Sequence, residues 1–158
     1  MCEEWRPFLE RPNTPEELTK IVIVPRLEEW LTREFGSRSF HLTQILTGHG
    51  CFAKFLCRIG KRINTICDFC GEDLDDVYHT LKDCPAWDPQ RIRLKKELGL
   101  SRDFTLNDVV ESIVNSLECW RAFSKFAEEV LREKEEEERR RERATTTSSP
   151  SIGNDETD

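Results

Sequence analysis

Long apolar runs are missing from this chain. The longest, Ile21-Val22-Ile23-Val24, is ended by Pro25, far short of the ~20 apolar residues of a membrane span. No membrane is expected as a partner. The N-terminus, Met1-Cys2-Glu3-Glu4-Trp5, has neither the basic n-region nor the apolar h-region of a secretory signal. Paired cysteines are also not signalled, because the seven cysteines form an odd set. That suits reduced thiols better than a disulfide scaffold. An intracellular chain, in nucleus or cytoplasm, is the expectation. Nucleophile–base pairs and Gly-rich phosphate loops are absent too, so no enzyme is expected of this chain alone.

What is present is charge. Of the 158 residues, 35% are charged and 37% hydrophobic, which is polar for a globular protein. The length allows one small domain, or a domain with tails. The net charge of −7 argues against a nucleic-acid partner if read globally. It is unevenly spread, however. Between Gly36 and Cys70, Arg38, Lys54, Arg58, Lys61 and Arg62 face only Asp68, which leaves that stretch at +4. A nucleic-acid footprint is local, so the middle of the chain remains a candidate.

The periodicity is almost wholly helical. Residues 1–13 read as irregular, with Pro7 and Pro12 as breakers. Thr14-Pro15-Glu16-Glu17 reads as a capped helix start. Pro25 restarts or kinks the chain, and a second helix runs to about Phe35 with Gly36 as its stop. Leu42, Ile45, Leu46 and His49 follow an i, i+3, i+4, i+7 pattern, repeated by Phe52, Phe55, Leu56 and Ile59. Lys54, Arg58, Lys61 and Arg62 would share the opposite, basic face. This segment, 14–64, is expected to be helical.

Beyond it, Asp88-Pro89 opens a helix that Gly99 ends, and Thr105-Leu106-Asn107-Asp108 opens another. A last helix begins near Ser116 and carries Leu117, Trp120, Phe123, Phe126, Ala127, Val130 and Leu131. It runs into Glu135–Arg143, a block with no apolar face and therefore a solvated or frayed extension. This makes 88–143 a second helical segment and 144–158 a disordered tail. The fold class expected is a small all-α domain with an embedded metal module over 65–87.

That module is the most specific feature. Cys67, Cys70, His79 and Cys84 are spaced Cys-x2-Cys-x8-His-x4-Cys. Three thiolates and an imidazole suit one structural, tetrahedral Zn2+ in a CCHC zinc knuckle. All four ligands come from protein, so no coordination position is left open for catalysis. Gly71 permits the tight turn after the first pair, and Asp75 or Asp76 can cap a short helix that carries His79. So short a segment has little core of its own, so the metal should drive its folding. Cys51, Cys57, Cys119 and Cys2 read as packing or inert residues, with a second metal site as the minority alternative. His49 reads as a helix-end or packing residue, and His41 has no evident partner.

The run His41-Leu42-Thr43-Gln44-Ile45-Leu46-Thr47-Gly48-His49-Gly50, then Phe52, Phe55-Leu56 and Arg58-Ile59-Gly60, the cysteine–histidine cluster and Cys84-Pro85-Ala86-Trp87 together resemble one family. It is the C-terminal end of arthropod non-LTR retrotransposon reverse transcriptases, in particular the clade that inserts into ribosomal RNA genes. The resemblance covers about residues 20–140. It implies a helical segment with a zinc knuckle that helps bind RNA or target DNA during target-primed reverse transcription. The parent polyprotein would be an RNA-directed DNA polymerase. A polymerase also needs an aromatic-x-Asp-Asp turn to hold two metal ions. Leu74-Asp75-Asp76-Val77 lacks the aromatic residue and any strand pattern, so it is not such a site. The chain thus resembles the tail of a polyprotein, whether a fragment, a decayed copy or a translated remnant.

The expected nucleic-acid surface is Lys54, Arg58, Lys61 and Arg62, continued by Arg91, Arg93, Lys95 and Lys96. Phe69 and Trp87 flank the ligands. They would either stack on unpaired bases or pack on the surrounding helices. The competing expectation is a zinc-stapled protein-interaction module that docks onto the polymerase portion of the polyprotein or another partner, which the net negative charge favours.

Overall fold

The computed structural model describes residues 17–37 and 39–148. The expected irregular N-terminus, the Thr14 cap and the tail beyond residue 148 lie outside the described residues. Seven α-helices carry the described chain: α1 (Glu17–Ile23), α2 (Leu27–Thr32), α3 (Phe40–Thr47), α4 (Ala53–Arg58), α5 (Asp88–Leu98), α6 (Leu106–Asn115) and α7 (Leu117–Thr147). Among the described residues there is no β-strand, only an isolated antiparallel bridge between Ile66 and Asp73. No helix there is long and apolar enough to cross a membrane.

Local chemistry accounts for most boundaries. Pro25 sits in a 3-10 turn, Val24–Arg26, that separates α1 from α2. The Ser39 hydroxyl accepts the Leu42 amide at 3.1 Å and starts α3, which ends at left-handed Gly48. Thr105 and Asp108 form a reciprocal capping box at the start of α6. Gly99 closes α5 in a left-handed cap.

The helix expected to reach Phe35 stops instead at Thr32. The reason is Trp120. Its indole N–H donates to the Ser37 carbonyl at 3.2 Å, and the chain passes directly under its ring. A Cβ on Gly36 would lie 2.5 Å from ring atoms of Trp120, and Gly36 has φ +83°. Only glycine fits this passage, so Gly36 serves the Trp120 contact rather than a helix cap.

α7 is the spine. At 31 residues it spans ~46 Å, and α3, α5 and α6 each pack along it. Phe123, Phe126, Ala127, Val130 and Leu131 form its buried stripe. Leu42 and Ile45 from α3, Leu94 from α5, and Val109 and Ile113 from α6 meet that stripe in one core. α1 lies across α3 and α6 and adds Val22.

Two expectations for the end of α7 need correction. The helix runs through Thr147, so residues 144–147 are helical rather than part of a disordered tail. The Glu135–Arg143 block is also not wholly solvated, and the buried charge begins one residue before it, at Lys134. Lys134 and Glu138 are buried, and Glu135 meets His41 at 3.1 Å. Charge here serves as packing material because the metal loop and α3 supply partners. On the outer side, Arg139 and Arg140 pair with acids three or four residues back.

Candidate metal centre and its basic surroundings

The segment after α4 has too few apolar residues for a core, so hydrogen bonds shape it. Gly71 N–H donates to the Cys67 carbonyl at 2.9 Å, and Cys67 N–H to the Glu72 carbonyl at 2.9 Å. This closes a tight turn whose left-handed position, φ +77°, is Gly71. The turn aims the amides of Phe69 and Cys70 at the Cys67 sulfur. The chain then crosses Leu74, a non-glycine residue at φ +67°, which costs about 1–2 kcal/mol. Asp76 accepts the His79 amide at 2.9 Å and starts the short helix, as expected of one member of the Asp75–Asp76 pair.

That helix is wide. Over His79–Asp83 it is a π turn, closed by Cys84 N–H donating to the His79 carbonyl at 2.7 Å. The wide turn brings the side chains at its two ends, His79 and Cys84, toward the Cys67–Cys70 turn. The ligand atoms of Cys67, Cys70, His79 and Cys84 all lie within 4.8 Å of one another. Cys67 Sγ and Cys84 Sγ are 3.9 Å apart, and Cys70 Sγ is 3.3 Å from His79 Nε2. A tetrahedron with ~2.3 Å metal–sulfur bonds has edges of ~3.8 Å, so the donors fit an ion such as zinc. Among the described residues no other cysteine, histidine and acid group forms such a cluster.

Burial pushes the Cys67 thiol above its ordinary value, and the facing amides pull only partly against it. Cys84 is pushed up to about 12, by burial first and by its neighbour Cys67 as well. Without an ion these sulfurs hold their protons. A dication reverses that balance by stabilising thiolate directly.

Two residues that hold the cluster in place were not read from the sequence in that role. Asp75 is buried and central. Its Oδ1 meets Lys134 Nζ at 2.7 Å and accepts the Thr80 hydroxyl at 3.3 Å. Its Oδ2 accepts the Ala53 amide at 3.0 Å, and so caps α4. One carboxylate thereby ties the metal loop to α4 and to α7. The Lys134 ammonium also lies 5.5 Å and 5.7 Å from the Phe52 and Phe69 ring centres.

The second is Arg91, expected in the nucleic-acid surface. It is buried, and it donates to the carbonyls of Leu81 (2.9 Å), Thr80 (3.2 Å) and Cys84 (2.8 Å). An ion pair with Asp88 completes its shell. One guanidinium thus bonds two carbonyls of the π turn, Thr80 and Leu81, and that of Cys84 just after it.

The comparison with protein-family models, curated proteins and solved structures finds no match for this chain.

The other expected contacts divide by exposure. Lys54 and Arg58 are exposed on α4. Lys61 is exposed too, and lies 3.9 Å from Glu142. Arg62 turns inward and grips the Asp68 carboxylate at 2.9 and 3.0 Å and the Ile66 carbonyl at 3.1 Å. The helix ends at Arg58, so the single basic face expected to run on to Arg62 is broken after one turn. Arg93 pairs with Glu129 at 3.3 Å. Lys95 lies 5.9 Å from the Phe104 ring, and Lys96 is exposed. Trp87 is buried against Phe69 with ring centres 4.8 Å apart, so packing is its role. Phe69 is half-buried in the same contact.

The remaining histidines have partners. His41 meets Glu135 on α7, and His49 stacks on Phe55 with centres 4.8 Å apart. Burial, and then Glu135, push the Cys51 thiol up, which fits a packing residue.

Proposed function

We propose that this chain is a zinc-clipped helical module that binds nucleic acid, as its resemblance to the C-terminal end of non-LTR retrotransposon reverse transcriptases implies. The observation that supports it most is the clip itself, with Lys54, Arg58 and Lys61 exposed on the segment leading into it. Cys67, Cys70, His79 and Cys84 would hold the zinc, and the ion's role is structural. The protein's own contribution is rigidity. Arg91 and Asp75 hold the clip to α5, α4 and α7, so exposed cations nearby keep fixed spacing for phosphates. Lys96, exposed on α5, extends the set, with half-buried Lys95 beside it.

The test is binding of single-stranded RNA at two salt concentrations, with Lys54, Arg58 and Lys61 changed to Glu. Arg62 is left alone because it builds the loop. The reading requires affinity that falls with salt and collapses in the triple variant. Binding indifferent to both would sink it.

A second reading, docking onto a polymerase body, is favoured by a different observation. Ile63 is 99% exposed, and Ile59, Ile66 and Leu74 are also exposed near the clip.

A further inference from the structure

α1, the end of α3, α4 and the start of the His79 helix enclose a groove of about 590 Å³. That is the size of a small-ligand site. Leu18, Ile21, Phe52 and Val77 provide its apolar lining, with Tyr78 beside them. At its α4 side the groove carries a built stack. The His49 imidazole lies on Phe55 at 4.8 Å with planes 19° apart. The Arg58 guanidinium lies 5.2 Å from the centre of the same ring, and its Nη2 is 3.3 Å from His49 Nε2. Lys54 lines the groove from the same helix.

Stacked aromatic and imidazole rings with two cations at one edge match the chemistry of an unpaired nucleotide. Its base has a π face and its phosphates are anionic. An apolar peptide would use the lining but not the imidazole–guanidinium stack. Two acids, Glu17 and Asp76, also line the groove, but they come from α1 and the metal loop. Asp76 is already engaged with the His79 amide. The α4 edge is therefore the phosphate side, and Glu17 remains to accept hydrogen bonds from base amino groups.

We propose that this groove receives one unpaired base of a single-stranded nucleic acid, stacked at His49 and Phe55, with its flanking phosphates on Lys54 and Arg58. The proposal rests on the nucleic-acid reading above and gives it a site. It also commits the module to single strands, because paired bases cannot enter.

The test uses the zinc-loaded full chain and a short single-stranded RNA that carries one 2-aminopurine, plus matched strands with an abasic position and a matched duplex. Burial of the base in the stack should quench 2-aminopurine. Loss of one stacked base should weaken binding roughly 5- to 150-fold, as one base–aromatic stack is worth about 1–3 kcal/mol. His49→Ala and Arg58→Ala, both away from the core, should abolish the quenching and the penalty for the abasic strand. Circular dichroism verifies their fold. Tight binding with neither quenching nor an abasic penalty overturns the groove as a base site, leaves the nucleic-acid reading intact and makes the groove a protein-docking face. A base effect that survives both substitutions places the base elsewhere and also overturns the proposal. No binding to any strand removes the parent reading and this one together.

Discussion

Lys134 carries its ammonium to a position where the side chain is 2% exposed, and Asp75 is the reason it can. An isolated charge there would be prohibitive, but a carboxylate at 2.7 Å and two aromatic faces replace water. Removing one partner leaves the other charge buried and bare. Lys134→Met is therefore expected to destabilise the fold by about 3–5 kcal/mol, read as a lower urea midpoint. Asp75→Leu combined with Lys134→Met should recover part of that loss. It cannot recover all, because Asp75 also caps α4 through the Ala53 amide. A single Lys134→Met change that left the midpoint unmoved would mean the pair is solvated. Arg91 has a comparable place next to the metal ligands. Arg91→Lys keeps the charge but cannot reach the Thr80, Leu81 and Cys84 carbonyls with one planar fork. Loss of such an outer partner costs about 10–100-fold in metal affinity, measurable by competition with a chromophoric chelator.

At the scale of elements, the metal loop depends on its ion more than any helix does. The loop has only Val77, Leu81 and Trp87 as buried apolar anchors besides the ligands. Chelation, or Cys70→Ser, should abolish amide-exchange protection over 65–87 while α6 and the first half of α7 stay protected. Protonation adds a second expectation. Cys67 and Cys84 lie above their ordinary value, with Cys84 near 12, so metal uptake must release protons. Metal affinity should rise with pH, and calorimetry in buffers of different ionisation enthalpy should show the release. In the metal-free chain the sign is opposite. Stability should fall as pH rises from the ordinary 9.0 through about 12, because the unfolded Cys84 ionises first.

The elements also show which information is local. Caps at Ser39 and Thr105, stops at Gly48 and Gly99, and the Cys-x2-Cys turn are chemistry between near neighbours, so spacing reveals them. Asp75 to Lys134 spans 59 residues, and Trp120 to Ser37 spans 83. No spacing rule reaches that far. The same limit explains Arg91 and Arg62. A cation read along a helix looks like a surface charge until the carbonyls it satisfies are seen.

For the whole molecule, the question is how a chain of net charge −7 could hold a polyanion. Its acids do not cancel its bases uniformly. Much of the acid on α7 is engaged with α7's own arginines, as in Glu128–Arg132 and Glu137–Arg140. Among the described residues, Lys54 and Arg58 have no carboxylate within ion-pair range, and Lys61 has only a distant one, Glu142 at 3.9 Å. Surface pairs of that kind contribute little, so phosphates can displace them. If three cations meet phosphates, the log–log dependence of single-strand binding on salt should have a slope of about −2, since each contact contributes about −0.7. Lys54→Ala, Arg58→Ala and Lys61→Ala should each reduce the slope by about 0.7. Arg93→Ala, whose guanidinium is held by Glu129, should leave it unchanged. Equal loss of slope in all four would indicate a diffuse field spread over the protein, and would remove α4 as the contact surface.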